Sequence, residues 1–306
     1  MTPRWAIVVA TRNRGSRIVA LIESVLRGDP DADVELVIVD QSDDDTTRRA
    51  VAAFFTDGRV RYEHLDVAGT SHARNHGIAV TTAPFIAITD DDCTVPSDWT
   101  AQLGAAFDRN PRIGVVYCNV DPVPTTEPGH TPHIRFPGSR IVAGLGDLRA
   151  RQPLWMGAGM ALRRETVADV GGFDEALGPG TRFGACEDND IAWRALRRGW
   201  WVYEHAGTSV RHDGFRSLAQ LGELSNRDFY GIGATIAKYL KTGHLRVAAM
   251  LVPLFGRFLF VAPMRDLADR RIPRGWGRPW TLLRGVVAGL RVPVDRDTML
   301  YGRPAR

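Results

Sequence analysis

The chain is poor in cysteine and has no long uninterrupted apolar run. Its only cysteines, Cys93, Cys118 and Cys186, are odd in number and far apart in 306 residues. They form neither a Cys-x-x-Cys pair nor a zinc-ligand spacing, which excludes a disulfide framework and points to a reducing compartment. The N-terminal apolar stretch extends only from Trp5 to Ala10 before Arg12 and Arg14 close it. That is too short for a signal-peptide core and reads as a first strand, so a cytoplasmic protein is expected. The most apolar segment, Val247 to Met264, is interrupted by Pro253 and Arg257 and is marginal against the roughly 20 residues that a spanning helix needs. No internal repeat and no low-complexity segment is present.

What is there suits one large or two modest globular domains, with 44% hydrophobic and 24% charged residues. Positive charge is unevenly placed. The net charge is +4, yet residues 265–306 hold ten arginines against four aspartates, which leaves the rest of the chain slightly acidic. A basic tail of this kind attracts an anionic surface, membrane headgroups or nucleic acid; the arginine-rich composition of a GC-rich genome explains it equally well. Arg246 and Arg257 fall on nearly the same face of a helix through Val247–Met264. That suits a peripheral position on the inner face of the cell membrane, and it also suits a buried C-terminal helix packed on the main domain. Of the two anionic partners, a membrane surface is retained and no nucleic acid is expected.

Strands and helices alternate through the first half. Ala6–Val9, Val34–Val39, Val60–His64 and Phe85–Ile88 read as strands, with helical spacing over Ile18–Leu26, Thr46–Phe55 and Ser71–Val80. Asp98–Asn110 follows as a helix and Ile113–Tyr117 as a strand. Such alternation predicts a mostly parallel α/β sheet with helices on both faces. Asp121–Gly138, dense in Pro, Thr, Gly and His, reads as a long loop. Trp155–Leu162 reads as a glycine-containing strand, Ile191–Leu196 as part of a helix, Thr208–Val210 as a strand and Leu218–Leu240 as a helix.

Asp90, Asp91 and Asp92 end the strand Phe85–Ile88. Three ionised carboxylates cannot be buried there unpaired, since each would cost several kcal/mol or more. A divalent cation at the C-terminal end of a strand resolves the problem, as does a solvated acidic turn. Three further blocks decide between them. Asp40 opens an acidic turn through Thr47; Ala68–Ile78 contains Gly69, Ser71, Arg74 and Asn75; and Gly171–Asp174 is followed by Glu187–Arg194.

In this order and at this spacing, over about residues 5–215, the blocks resemble those of the family 2 glycosyltransferases. The resemblance implies a GT-A fold, an α/β nucleotide-diphospho-sugar transferase architecture with a Rossmann-like mixed sheet and helices on both faces, in a domain of about 1–215. A helical, basic segment of about 216–306 follows it. It further implies an inverting, metal-dependent transfer of sugar from a UDP-, GDP- or dTDP-sugar to a hydroxyl of a glycan, a lipid-linked or a small-molecule acceptor. Residue by residue, Asp40 and the loop at Thr11 resemble the base-reading elements, and Arg74 the basic residue near the nucleotide or a brace for the following loop. Asp90, beside the ribose, and Asp91 belong to the donor site. Asp92, with Asp90, would hold Mn2+ or Mg2+. Asp188 resembles the catalytic base; alone it could simply cap the helix that follows.

Elementary chemistry agrees with these roles. A divalent ion stabilises the charge that builds on a departing diphosphate, and an ionised carboxylate accepts the acceptor's proton. His212, beyond Thr208–Val210, is a candidate further metal ligand or a structural histidine. Trp155 is a candidate stacking face for a sugar, with Gly157 and Gly159 allowing close approach, or else a core aromatic. Two rival readings stand beside this one. In a haloacid-dehalogenase-type phosphatase, Asp90 would be a nucleophile, but that signature belongs on a first strand and leaves the other blocks unexplained. A non-catalytic nucleotide-sugar-binding protein would not need both Asp92 and Asp188.

Overall fold

The computed structural model describes residues 3–28, 33–148, 155–245, 260–268 and 277–302, with the single residues 249 and 256. Strands β1 (Trp5–Thr11), β2 (Val34–Asp40), β3 (Val60–His64) and β4 (Phe85–Asp90) alternate with helices α1 (Val19–Leu26), α2 (Thr46–Val51) and α3 (Thr70–Ala79). These four strands run parallel in the order β3-β2-β1-β4. The inner three, β2, β1 and β4, are apolar on both faces, and Ile7, Val8, Val37, Ile38, Ile86 and Ile88 are all buried, as a sheet covered by helices on both sides requires. The edge strand β3 is half-buried and carries Arg61, Glu63 and His64.

The sheet is mixed, as the GT-A resemblance implies, where the alternation of the first half taken alone predicts a mostly parallel one. After the two-residue β5 (Cys93–Thr94) and α4 (Trp99–Asp108), the long strand β6 (Ile113–Pro122) runs beyond the Tyr117 end expected from the sequence. The loop expected over Asp121–Gly138 carries β7 (Gly129–His130), and β8 (Arg140–Val142) follows. β9 (Met160–Arg163) inserts between β4 and β6 and is antiparallel to both. The expected strand at Trp155–Leu162 is thus shorter and later, because Gly157–Gly159 form a 3-10 turn. The Gly157 N–H is the reason: it donates to a carboxylate oxygen of Asp188 at 2.6 Å and so is lost to any ladder.

Helices α5 (Arg164–Val170) and α6 (Glu187–Arg197) lead to β10 (Trp201–His212). β10 lies parallel to β6 and antiparallel to both β8 and β5, which completes a nine-stranded sheet. The short β11 (Arg216–Ser217) pairs with β7 and leads into the 24-residue α7 (Leu218–Lys241). A capping box starts that helix, with Ser217 and Gln220 exchanging bonds. Phe229, Ile232, Ile236 and Tyr239 of α7 join the same buried cluster as the sheet.

Helices α8 (Ala262–Ala268) and α9 (Arg278–Leu290) follow. Most of the run Val247–Met264, with Arg257 and the preceding Arg246, lies outside the described residues. Among the described residues no helix is long and apolar enough to cross a membrane. Glycines let α9 press directly on α7: a Cβ at Gly285 would meet the Tyr230 carbonyl, and one at Gly233 the Leu282 carbonyl. Gly222, on the exposed side of α7, has nothing within 4 Å. One substitution therefore has opposite signs at two helical glycines. Gly285→Ala is expected to cost about 1–3 kcal/mol through overpacking, whereas Gly222→Ala adds up to about 1 kcal/mol through helix propensity. Urea denaturation of both variants checks this; equal effects would contradict the close approach.

Candidate active site

A cavity of about 800 Å³ opens where β1 and β4 end, walled on its other side by the start of α6 and by α7. Thr11, Arg74, Asp90, Asp91, Asp92, Asp188 and His212 all line it. Asp40 does not line it. That residue is fully buried, and its carboxylate accepts from Ser42 N–H at 2.9 Å and the Tyr62 hydroxyl at 2.8 Å. The neighbouring Gln41 takes its place on the wall.

The three aspartates have different surroundings. Asp90 is the exposed member, its side chain 40% accessible. Asp91 is buried and accepts from Thr11 Oγ1 at 2.7 Å, with Arg14 at 3.3 Å. Burial dominates and pushes its pKa up to about 6, although Arg14 and Thr11 oppose the shift. Asp92 is equally enclosed. Burial acts to raise its pKa, but His212 at 3.2 Å and Arg14 at 3.5 Å outweigh that and hold it below the usual value. Arg216 adds a third cation at 3.9 Å.

Strand pairing brings His212 to Asp92. At the end of β10, His212 pairs with Cys93 of β5, and the Asp213 N–H donates to the Asp92 carbonyl at 2.8 Å. Nδ1 of His212 lies 3.0 Å from the Pro132 carbonyl, which can only accept, so Nδ1 carries a proton. A neutral ring then turns the lone pair of Nε2 toward the Asp92 carboxylate 3.2 Å away. Two acceptors facing one another need a proton or a cation between them. Burial works against a charged ring, but the hydrogen bond and charge of Asp92, with Asp90, raise the His212 pKa. The donor atoms of Asp92, Cys93 and His212 lie within 4.8 Å of one another. Burial holds the Cys93 thiol protonated, with a pKa well above its ordinary value, so carboxylate and imidazole are the competent donors and fit a divalent cation.

On the opposite wall, Cys186 in a left-handed conformation, φ 81°, turns the chain into α6. Its first turn carries Glu187, Asp188 and Asp190 at the positive end of the helix dipole. Asp188 is not the cap; it points at the cavity. Its carboxylate accepts from Arg74 Nη1 at 2.6 Å and from the Gly157 N–H at 2.6 Å, and its side chain is 20% exposed against 7% for Glu187. Burial raises the pKa of Glu187, and the charge of Asp188 adds to it against Arg74. Glu187 thus keeps its proton to higher pH than a free carboxylate.

Arg74 joins the two walls. Buried in α3, it reaches Asp188, Glu187 at 3.2 Å and Asp90 at 3.4 Å. Bracing of the following loop falls to Asn75, which donates to the Phe173 carbonyl at 3.0 Å and accepts from the Phe173 N–H at 2.8 Å. Trp155 is buried yet lines the cavity; its ring stacks on Tyr117 at 5.2 Å, and its indole N–H donates to Glu204 at 3.0 Å.

Sequence reasoning left three supports without a role. Arg14 and Arg216 reach the aspartates from outside the motif blocks. Lys238, a lone cation in an apolar stretch of α7, is fully buried and ion-paired with Asp174 at 2.5 Å and Asp190 at 2.7 Å. Asp190 also accepts from Arg194 at 2.7 Å, and Arg194 donates to the carbonyls of Val170 and Gly172. The Tyr301 N–H completes Asp174 at 2.9 Å. The α7 lysine therefore anchors both the Gly171–Asp174 loop and the first turn of α6. The only sequence signal for it was its isolation among apolar neighbours.

A mixed sheet of this order, with acidic groups at the end of β4 and at the start of α6, has the GT-A architecture. The family model for glycosyl transferase family 2 matches residues 6–168. The chain belongs to that family, which leaves the phosphatase reading without support. It is 27% identical over 295 residues to the pre-mycofactocin glycosyltransferase of Mycobacterium tuberculosis, covering 94% of this chain and 56% of that protein. The chain thus spans little more than half the length of this relative. In fold it is similar to residues 1–349 of S. aureus TarS, with a TM-score of 0.65 at 17% identity, covering 95% and 81% of the two chains. TarS has been solved with UDP and with UDP-GlcNAc. The mannosyltransferase PcManGT of Pyrobaculum calidifontis, solved with GDP-Man and Mn2+, aligns with a TM-score of 0.63 at 18% identity, covering 95% and 88%.

The buried lysine gives a stability test. Lys238→Met leaves Asp174 and Asp190 short of a partner at 1% and 0% exposure, and removal of one member of such a pair costs about 3–5 kcal/mol. Chemical denaturation should show a loss of that size; a change below about 1 kcal/mol would remove the anchoring role.

Proposed function

We propose that the protein moves a sugar, with inversion, from a UDP-, GDP- or dTDP-sugar to a hydroxyl of a glycan, lipid-linked or small-molecule acceptor. The observation that carries the reading is the meeting of the Asp90–Asp92 group and Asp188 across one cavity, bridged by Arg74. Asp92, Asp90 and His212 would hold Mn2+ or Mg2+, which when bound supplies positive charge to the departing diphosphate. Arg14 and Arg216, which already face Asp92, lie where they can pair with phosphate oxygens. Thr11 and Gln41 form the wall beside them, on the side where base and ribose belong. Asp40 stands behind that wall and fixes the turn at Ser42.

Asp188 accepts the proton of the attacking hydroxyl. The Gly157 N–H and Arg74 hold its carboxylate aimed at the cavity. Arg74 must share it, and the departure of the proton toward Asp188 loosens that ion pair as Asp90 and Glu187 take up the guanidinium. One base carboxylate acting opposite the leaving group is the arrangement inversion needs. The working division is a GT-A domain at about 1–215 and a basic, helical segment at about 216–306, in a cytoplasmic protein held peripherally on the inner face of the membrane. No nucleic-acid partner is part of the proposal.

Two results test it. Nucleoside diphosphate should bind tightly with Mn2+ and weakly with EDTA; titration of UDP, GDP and dTDP by calorimetry checks this, and equal affinity in both conditions removes the metal. Asp188→Asn should keep donor affinity while transfer falls by about 10²-fold or more, the scale of a positioned base. Asp92→Asn should damage both. Wild-type transfer by Asp188→Asn would move the base elsewhere, to Glu187 first.

A further inference from the structure

The helix α9 has two faces of unlike chemistry. Gly285 and Gly289 are buried against α7. The other side carries Trp280, Leu283, Val287 and Leu290, which are 65%, 49%, 41% and 46% exposed. Their spacing of three, four and three residues keeps them on one stripe. A helix on a water-facing surface has no reason to show such a stripe, since each apolar side chain left in water forgoes the stabilisation of burial. Arg284 and Arg291 are exposed along one edge of it, and among the described residues no carboxylate pairs with either. The segment ending in α8 repeats the pattern, with Phe260, Val261, Met264 and Leu267 exposed and Arg265 beside them.

We propose that the Trp280–Leu290 face of α9 docks on an anionic lipid bilayer. It deepens the peripheral attachment proposed above and rests on it. Charge selects this occupant. An apolar stripe edged by arginines matches headgroups over acyl chains: the aliphatic stems lie in the boundary, the guanidinium groups meet lipid phosphates, and an indole prefers the interface. A second copy of the chain fits less well, because a two-fold contact sets the same patch against itself. In the ten-arginine, four-aspartate stretch 265–306 that brings like charges together. The docked face also starts at the cavity: Arg278, in the first turn of α9, lines it beside Leu224 and Phe229 of α7. A bilayer on α9 would therefore lie near the mouth of the cleft, where an amphipathic acceptor arrives.

Flotation of the full chain with vesicles of phosphatidylcholine, alone or mixed with phosphatidylglycerol, tests the assignment without donor or metal. The wild type should float with the anionic vesicles at low salt and less at high salt. Arg284→Gln and Arg291→Gln should each weaken anionic binding about fivefold. Trp280→Ser with Leu283→Ser should abolish flotation with an unchanged melting temperature, since both side chains are exposed. Failure of the wild type to float overturns both the docking face and the peripheral attachment. Flotation of the double serine variant at wild-type strength overturns the face alone. A concentration-dependent dimer, seen by sedimentation and lost in that variant, would make the face a self-interface and overturn the proposal. None of these outcomes bears on the transfer chemistry, which is measured separately.

Discussion

Everything in the cleft depends on how a crowd of carboxylates is kept compatible with burial. Asp90, Asp91, Asp92, Glu187 and Asp188 face one space, and their nearest guanidinium groups are Arg14, Arg74 and Arg216. Arg74 is the decisive one, because its planar fork reaches acids on two separate elements at once. Burial opposes its charge, yet Asp188, Glu187 and Asp90 outweigh burial and hold it cationic. Arginines and carboxylates are equal in number along the cavity wall, and the charges of Asp92 and Asp188 are met locally, by Arg14 and Arg216 at one and by Arg74 at the other. Stability and chemistry therefore make the same demand on these residues.

The second layer carries the same logic into the C-terminal segment. Lys238 of α7 neutralises Asp174 and Asp190, one from the glycine-containing loop and one from α6. The acids of the last two sequence blocks are thus divided by role. Asp188 turns to the cavity, while Asp174 and Asp190 turn inward to hold the turn that presents it. Glycine contacts then fix α9 on α7, so the apolar face proposed to meet a bilayer is rigidly tied to the wall of the cleft.

Much of this was legible in the sequence because periodicity and burial agree over the first half of the chain. Val60–His64 has the observed strand bounds, and β4 ends in the acids as expected. What was not legible depends on contacts between distant segments. The strand expected at Trp155 fails because the Gly157 N–H serves Asp188, 31 residues away. His212 is only a candidate until the pairing of β10 with β5 sets it beside Asp92. Lys238 looks like an ordinary helix cation until its partners arrive from 48 and 64 residues away. In α9 the pattern misleads: the bulky stripe that would be taken for the core face is exposed, and glycines make the packed face.

Replacement of Arg74 by lysine tests the charge-balance account most directly. Lysine keeps the positive charge but offers one ammonium where a fork bridges three acids. The protein should remain folded, while Mn2+-dependent nucleotide affinity and sugar transfer both fall, transfer by about tenfold or more for one displaced hydrogen-bonding group. Wild-type affinity and wild-type transfer in Arg74→Lys would contradict a site built on that guanidinium.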